Sequence, residues 1–171
     1  MKIMHTKFLQ HIEQCAKSAG FSPMLNCATF NLSVNHDAKG ILPGAVYGVA
    51  IALNDEDAIA LESEARARGS LKTPLSKLKR LQLGGVSAIP LYWGKDAAVG
   101  YRLYRHLLDK KPKAGNLGGR FYSTLKSKDL LVASVPVCDF KRFEKNMERI
   151  YPPLLFNVKA ENIGSYSGVA V

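Results

Sequence analysis

Tyr92-Trp-Gly-Lys-Asp-Ala-Ala-Val-Gly-Tyr-Arg-Leu-Tyr-Arg-His106 is the stretch of sequence that decides the fold we expect for this chain. The residues before it, 86–91, form a short apolar run typical of a β-strand. Gly94 is expected to end that strand, because glycine lets the backbone turn. Asp96 is expected to cap a following helix, since its carboxylate can accept from the free N–H groups of a first turn. The stretch therefore predicts a strand that leads into a helix.

The predicted helix carries an arginine and a histidine on one stripe. Val99, Leu103 and Leu107 recur at i, i+4 and i+8, which is the spacing of one apolar helix face. Arg102 and His106 are also four residues apart, so their side chains leave the helix together, a step round from that face. A cationic and a titratable side chain at this position indicate more than packing.

This stretch resembles the second half of the GIY-YIG nuclease motif. Tyr92-Trp93-Gly94 corresponds to the YIG element, and Arg102 and His106 lie at the matching offsets. The form with a histidine is similar to one group of restriction enzymes in that superfamily. The remaining parts of the motif should then lie upstream and downstream.

Candidates for those parts follow in the family's order. Residues 43–47, Pro-Gly-Ala-Val-Tyr, resemble the GIY element. A helix that begins near residue 143 offers either Glu144 or Glu148 as the acidic residue. Residues 152–157 resemble the Pro-x-aromatic-Asn ending of the motif. Each part of the motif therefore has a counterpart in this chain.

The resemblance covers about residues 42–158 and departs from the family pattern in three places. Ala45 stands at the first glycine of GIY, unless Gly44 takes that place, and a tryptophan stands at the isoleucine of YIG. Tyr47 and Tyr92 are 45 residues apart, which is far more than the tight hairpin usual in the family. These departures concern the closest subfamily more than the superfamily.

The resemblance implies an α+β fold with a small central mixed or antiparallel β-sheet flanked by helices. The N-terminal extension would contribute a helix and a strand, at 27–34. Packing on the sheet is its expected role, and contact with DNA or a dimer interface are the alternatives. We expect partial disorder from Glu161 onward. The predicted divisions are the extension, residues 1–40; the nuclease domain, 41–158; a helical arm with a cationic face inserted within it, 54–85; and a tail, 159–171.

Patterning predicts the other elements directly. Helical spacing predicts a helix at 5–18, and near-continuous apolar character predicts a buried strand at 41–53. A third strand is predicted at 130–138, where Pro136 should mark an edge or a bulge. The glycine-rich loop at 109–120 is expected to contribute nothing to the core.

The resemblance further implies a metal-dependent endonuclease, restriction-like in role, that hydrolyses DNA phosphodiester bonds with Mg²⁺ or Mn²⁺ as its cofactor. Asn157 would brace the site from the end of the domain. The implied catalytic residues are Tyr47, Tyr92, Arg102, His106, Glu144 and Asn157.

The other five residues divide the chemistry among them. Glu144 would hold the metal, since carboxylate oxygen suits Mg²⁺ or Mn²⁺. Arg102 would clamp the phosphate oxygens through its planar fork. Tyr47 would orient or deprotonate the attacking water, with its pKa lowered by the surrounding cations. His106 would share that proton or donate to the phosphate, and Tyr92 would position water or substrate.

Positive charge is concentrated around this motif. Residues 66–128 hold fifteen Lys or Arg against two acids, a net +13, whereas the whole chain carries +10 and the remainder therefore −3. Such a block favours a polyanionic partner, of which DNA and RNA are the commonest. The predicted contacts to backbone phosphates are Lys77, Lys79, Arg80, Lys95, Arg105, Lys110, Lys111, Lys113 and Arg120.

Other functions stay open on the sequence. A nuclease toxin or a repair nuclease would use the same fold, and a nucleic-acid-binding module without catalysis would use the same basic block. A homodimer would cut both strands, and a cognate methyltransferase or an immunity protein would accompany a restriction enzyme or a toxin. The three scattered cysteines favour reduced thiols in the cytoplasm. The sequence contains no apolar run of the ~20 residues that a membrane span needs.

Overall fold

A curled antiparallel sheet lies at the centre of the fold. The computed structural model of the protein describes residues 2–23, 28–29, 44–96 and 101–166. The strands in these ranges are β1 (Ala28–Thr29), β2 (Ala45–Ile51), β3 (Leu81–Leu83), β4 (Val86–Asp96) and β5 (Leu131–Pro136). Their order is β1-β5-β2-β4-β3, and all their pairings are antiparallel. With the helices below, this arrangement confirms the predicted α+β class.

Helices cover both faces of the sheet. The α-helices of the described residues are α1 (Lys2–Ser18), α2 (Asp55–Ala67), α3 (Tyr101–Leu108) and α4 (Phe140–Ile150). Short 3-10 helices span Leu75–Lys77, Gly119–Phe121, Ser123–Leu125 and Ala160–Tyr166. The helix predicted at 5–18 is confirmed by α1. In the part of the chain described here, none of the helices has the length and apolar character to cross a membrane.

Strand β2 divides the core into two clusters, because successive side chains of a strand point to opposite faces. Tyr47, Val49 and Ile51 face α2 and α3 on one side. Val46 and Ala50 face α1 and α4 on the other. All seven residues of β2 are buried, as its near-continuous apolar character predicts. The predicted packing of the N-terminal helix on the sheet is also confirmed.

Strand β4 extends past Gly94 to Asp96, so the prediction that Gly94 ends the strand is wrong. Gly94 lies opposite Tyr47 of β2 in the sheet. A Cβ atom at position 94 would overlap the Tyr47 ring. The glycine is therefore explained by a close approach across the sheet and not by a turn.

The predicted capping role of Asp96 is confirmed at one atom. Its carboxylate oxygen Oδ2 accepts from the backbone N–H of Arg102 at 3.2 Å. Among the described residues the helix spans Tyr101–Leu108, so its first described residue lies four positions after the one that directly follows Asp96. Residues 97–100, Val99 among them, lie outside the described ranges.

Strand β5 is an inner strand, so the prediction of an edge at Pro136 is wrong. It pairs with β2 along its length and with β1 at Ser134 and Ala133. Pro136 is the last residue of the strand, where a missing N–H interrupts the ladder least. The irregularity of the sheet lies elsewhere, between Val49 and Ala50 in the pairing with β4.

Within the inserted segment 54–85, which was predicted as a helical arm, helix α2 packs against the sheet. Helix α2 buries Ala58, Leu61 and Ala65 against the sheet. The helix begins directly after Asn54, which is a normal N-cap: its side-chain Oδ1 accepts from the backbone N–H of Asp57 at 2.7 Å. Small and apolar residues one turn apart on α2 explain its close packing.

The expectation that the loop at 109–120 contributes nothing to the core is wrong, and the tail expected to be partly disordered is described as far as Tyr166. The loop at 109–120 places Leu117 in the core, with no exposed surface. The tail from Glu161 to Tyr166 lies in a 3-10 helix, and Tyr166 is fully buried. A single large apolar or aromatic side chain anchors each segment, because its burial contributes about 1.5–3 kcal/mol.

Several predictions concern residues that are not described. The strand predicted at 27–34 overlaps β1 at two residues, and its remainder lies outside the described ranges. The first three residues of the strand predicted at 41–53 also lie outside the described ranges. The domain boundaries at 40, 158 and 159 stay predictions.

Candidate active site

Three aromatic rings from three elements lie together on one face of the sheet. Tyr47 comes from β2, Tyr92 from β4 and His106 from α3. The ring centroids of Tyr92 and His106 are 4.7 Å apart, and that of Tyr47 lies 6.2 Å and 6.0 Å from them. The two halves of the predicted motif therefore meet in space although the chain separates them by the whole of α2.

Asn157 reaches this cluster from the end of the domain. Its side-chain Nδ2 donates to the Tyr92 hydroxyl at 3.3 Å. Leu154 and Leu155 donate backbone N–H groups to the carbonyls of Pro90 and Leu91, at 2.9 and 3.3 Å. Strand β3 is only three residues long and pairs with only the first residues of β4. The rest of that edge of β4 is therefore open to the segment that carries Asn157.

Glu144 lies on α4 beside Lys95 of β4. The Lys95 ammonium donates to Oε1 of Glu144 at 3.1 Å, and the carboxylate side chain is 13% exposed. Burial raises the pKa of Glu144 above its usual value, although the Lys95 hydrogen bond and charge oppose that shift. The charged form of this carboxylate is therefore poorly stabilised, because the side chain is mostly shielded from water and the Lys95 contact does not fully compensate.

Arg102 is the exposed member of the group. Its guanidinium Nη1 donates to the Lys95 carbonyl at 3.4 Å. Its positive charge opposes the rise in pKa that burial causes at Tyr47, Tyr92 and Glu144, so it lies within electrostatic reach of all three. With it, the six residues that the motif order selects are together.

The expected lowering of the Tyr47 pKa is wrong for the protein alone. Tyr47 is 3% exposed. Burial raises the pKa of its hydroxyl far above the usual range, and the neighbouring Tyr92 raises it further. Arg102 opposes these effects without outweighing them. Tyr47 is therefore a neutral phenol, which can donate its proton in a hydrogen bond but is not a base.

His106 is held in one tautomer by the loop that follows its helix. The backbone N–H of Leu117 donates to its Nδ1 at 2.9 Å. Burial lowers the pKa of His106 to about 4, and the charges of Arg102 and Arg105 contribute to that shift. The ring is therefore neutral at pH 7, and because Nδ1 is the acceptor, Nε2 carries the proton.

Three polar atoms of the site have no hydrogen-bond partner among the described residues. They are Tyr47 Oη, His106 Nε2 and Asn157 Oδ1, all of them buried. A buried polar atom without a partner costs about 1–3 kcal/mol. Such atoms are expected where a ligand or water completes the site.

A divalent cation fits this site only as a loosely held ion. The described residues contain no group of three or more His, Cys, Asp or Glu side chains that could hold a metal. Glu144 provides one hard oxygen ligand, and Glu148 lies one helical turn further along α4. Mg²⁺ is commonly held by one or two carboxylates, with water and substrate phosphate completing its coordination. The donor set is compatible with that mode.

The nine side chains predicted to contact phosphates differ in whether they already contact another group of the protein. Lys95 pairs with Glu144, and Arg80 and Arg105 lie 4.0 and 3.8 Å from the carboxylates of Asp55 and Asp109. Other members make contacts with aromatic or carbonyl groups: Lys79 lies 4.8 Å from the Tyr151 ring, and Arg120 donates to the Leu108 carbonyl at 3.4 Å. The remaining four are exposed: Lys77, Lys110, Lys111 and Lys113.

The sequence did not reveal the residues that support the site. Leu117 acts through its backbone N–H, which has no sequence signature. Val158 and Asn116 hold the two ends of the site together, because the Val158 N–H donates to the Asn116 carbonyl at 2.8 Å. One signal was available: Leu117 is a lone large apolar residue in a loop otherwise rich in glycine and lysine.

No protein-family model, no curated protein sequence and no solved structure gives a significant match to this chain.

Proposed function

We propose that this protein is a metal-dependent endonuclease of the GIY-YIG type, which hydrolyses phosphodiester bonds in DNA. The carrying observation is the convergence of Tyr47, Tyr92, His106 and Asn157 beside the Glu144 carboxylate. They were selected by motif order alone and are spread over 110 residues of sequence. The finer description of the fold, a GIY-YIG-like sheet with an insertion, is part of this proposal.

The side chains of the site are mainly hydrogen-bond donors, which suits an anionic substrate. Arg102 and Lys95 provide positive charge, and His106 Nε2 and the Tyr47 hydroxyl provide N–H and O–H groups without partners among the described residues. Donors fixed in a largely dry site stabilise charge that develops on phosphate oxygens. This supports binding and charge stabilisation of a phosphodiester as the task of these four residues.

The reaction forms a bond from water oxygen to phosphorus and breaks a phosphorus–oxygen bond of the backbone. A proton leaves the attacking water, and the departing oxygen gains one. Neither Tyr47 nor His106 is a free base in the protein alone, for the reasons given above. A divalent cation bound at Glu144 would supply the acidified water and part of the charge neutralisation. Glu144 would exchange its contact with Lys95 for that ion, and Lys95 would then face the phosphate.

A restriction-like role is the form of the proposal that the resemblance favours. One such site cuts one strand, so cleavage of a duplex would use a homodimer or two successive nicks. A cognate methyltransferase would protect the host in that role. A toxin with an immunity protein and a repair nuclease are alternatives with the same chemistry, and cytoplasmic localisation is part of the restriction proposal.

A nucleic-acid-binding module without catalysis is the second candidate. It is favoured by the pairing of Lys95 with Glu144, which occupies the acid on which metal binding depends. It is also favoured by the exposed cluster of Lys110, Lys111 and Lys113, which needs no catalytic partner. The two candidates differ in whether DNA is cut.

Plasmid cleavage separates them. Purified protein is incubated with supercoiled DNA in Mg²⁺, in Mn²⁺ or in EDTA, beside the variant Arg102→Ala and its matched control Arg66→Ala, an exposed arginine of α2. The proposal expects nicked or linear DNA with metal only, retained in Arg66→Ala and lost in Arg102→Ala. Discrete fragments would favour the restriction role and a smear a toxin. Retarded but intact plasmid in every lane would favour the binding module.

A further inference from the structure

Phe156 is an exposed aromatic residue that directly precedes Asn157 of the candidate active site in the sequence. It is 37% exposed, and the other large hydrophobic residues exposed in the described ranges are the aliphatic Ile3 and Ile59. Its neighbour Asn157 contacts the Tyr92 hydroxyl. An aromatic ring kept in solvent at this place is not explained by the core.

The backbone under this ring is held firmly. The Phe156 N–H donates to the Ser70 carbonyl at 2.7 Å, and the N–H of Lys72 donates to the Leu154 carbonyl at 2.7 Å. Leu155 forms an isolated β-bridge with Leu71. Because the backbone is fixed on both sides, a ligand that meets the ring orders little further chain, which lowers the cost of binding.

Two lysines accompany the ring. The ammonium groups of Lys72 and Lys159 lie 5.4 and 4.8 Å from the centroid of Phe156. Both lysines are exposed, and neither forms an ion pair with an acid in the described part of the chain. An aromatic face with two free positive charges is complementary to a base attached to a phosphate backbone.

We propose that Phe156, Lys72 and Lys159 form a binding site for an unpaired nucleobase and its flanking phosphates. That the bound strand is the DNA that is cut rests on the proposed function. Paired bases hide their faces inside the duplex, whereas an unpaired base can stack on an aromatic ring. The lysines would leave the ring for the phosphates on either side of that base. The preferred substrate is therefore DNA that is single-stranded or opened next to the cut.

Fluorescence anisotropy with labelled oligonucleotides tests this site without any cleavage. Wild-type protein in EDTA is titrated with a single strand of about 20 nucleotides, long enough for several such contacts, and with the matching duplex, at one fixed salt concentration. The variants are Phe156→Leu, which keeps an apolar side chain, and Phe156→Trp, which keeps stacking. Ile59→Ala is the control for loss of an exposed hydrophobic residue.

The expected results follow from the size of a stacking contact. The single strand binds more tightly than the duplex, and Phe156→Leu weakens single-strand binding by at least about fivefold, since a base–aromatic stack is worth about 1–3 kcal/mol. Phe156→Trp restores binding, and Ile59→Ala leaves it unchanged. Lys72→Gln and Lys159→Gln each reduce the slope of log K against log salt by about 0.7.

Equal binding of the single strand by Phe156→Leu and the wild type would overturn the proposal, as would a Phe156→Trp variant as weak as Phe156→Leu. The plasmid experiment is independent of these results. Cleavage without any Phe156 effect would leave the nuclease and remove the base site. A Phe156-dependent single-strand complex without cleavage in any metal would keep the base site and remove the nuclease.

Discussion

Glu64 and Glu144 are two glutamates of almost equal burial in opposite surroundings. Each lies on an α-helix, and their side chains are 14% and 13% exposed. Glu64 accepts from Arg68 and from the backbone and hydroxyl groups of Ser123 and Thr124. Glu144 accepts from Lys95. Exposure alone therefore does not distinguish the two carboxylates.

The pKa values of the two glutamates are shifted in opposite directions. Burial alone would raise the pKa of Glu64, but the hydrogen bonds from Ser123, Thr124 and Arg68 outweigh it and hold that pKa below its usual value. Burial raises the pKa of Glu144, and the Lys95 contact opposes this without reversing it. The carboxylate of Glu64 is stabilised by the fold itself, whereas that of Glu144 would gain stabilisation from a bound cation.

The comparison distinguishes the two carboxylates and not every polar atom around them, since the Arg68 Nε atom beside Glu64 is also buried without a hydrogen-bond partner among the described residues. Around Glu64, the Arg68 guanidinium also donates to the carbonyls of Phe121 and Ser165, and it ties the C-terminal helix to α2. Around Glu144, the nearby Tyr47 hydroxyl has no hydrogen-bond partner among the described residues. Polar groups that are left incomplete are a cost in stability that a ligand can offset.

The largest expected difference concerns cleavage. Glu144→Gln removes the charge that would hold the metal but keeps the size of the side chain, so we expect cleavage to fall at least about 10³-fold, as the loss of several kcal/mol of charge stabilisation requires. DNA binding in EDTA should be unchanged. Glu64→Gln, assayed in the same plasmid experiment below its unfolding temperature, should cut like the wild type. Cleavage that survives in Glu144→Gln would leave Glu148 as the metal ligand to test.

The next effect concerns pH and His106, which belongs to the same incomplete cluster. Its folded-state pKa of about 4 lies below the ordinary 6.5. In the unfolded chain His106 therefore binds a proton below about pH 6.5, whereas in the folded protein it binds one only below about pH 4. The free energy of unfolding consequently falls as the pH falls through that window. The loss attributable to His106 is about 3 kcal/mol.

Urea unfolding of the wild type and of His106→Gln at pH 7 and at pH 4.5 measures this loss. The difference in unfolding free energy between the two proteins should shrink by about 2 kcal/mol or more at the lower pH, because only the wild type has the buried imidazole. The pH 7 pair is the control for any structural cost of the glutamine. An equal difference at both pH values would place His106 in a more solvated environment than described.

A smaller effect concerns the stability of the Glu64 cluster. Glu64→Gln loses a charged acceptor for five hydrogen bonds, so we expect the free energy of unfolding to fall by about 2–3 kcal/mol. Glu144→Gln, its matched control, should change it by less than about 1 kcal/mol. Thermal unfolding of both variants at pH 7 makes the comparison, and equal losses would remove the distinction between the two carboxylates.

The smallest effect concerns Lys95. Its side chain is 34% exposed, so solvent screens its pair with Glu144 and Lys95→Met should cost no more than about 1 kcal/mol. Lys128→Met is the control, since Lys128 pairs with Asp57 at similar exposure. Urea unfolding measures both. A loss of more than about 2 kcal/mol in Lys95→Met alone would make Glu144 a structural acid like Glu64.

Patterns of local spacing predicted most of the elements. Apolar periodicity predicted α1, and the near-continuous apolar run at 41–53 predicted the buried β2, because burial on both faces removes the alternation of an exposed strand. Three of the errors share a cause. Gly94, Pro136 and Leu117 are each explained by a partner outside their own local segment, namely the Tyr47 ring, the end of the β2 pairing and the His106 imidazole.

The candidate site divides in the same way. The identity and order of Tyr47, Tyr92, His106, Glu144 and Asn157 were available from the chain, since a motif is a pattern of residue types. Their protonation states were not. A pKa depends on how far water is excluded and on which donors lie nearby, and both are properties of the packed molecule.

The sequence by itself determined the α+β class, the concentration of positive charge in its middle and the residues that could do chemistry on a phosphate. Composition and spacing are local properties, and they survive unfolding. Only the tertiary structure decided that Glu64 is saturated with donors while Glu144 is not, and that Tyr47 and His106 are neutral donors. The difference between the two glutamates comes from contacts with Lys95, Ser123 and Thr124, which lie 49 to 60 residues away in sequence, and it exists only when the chain is folded.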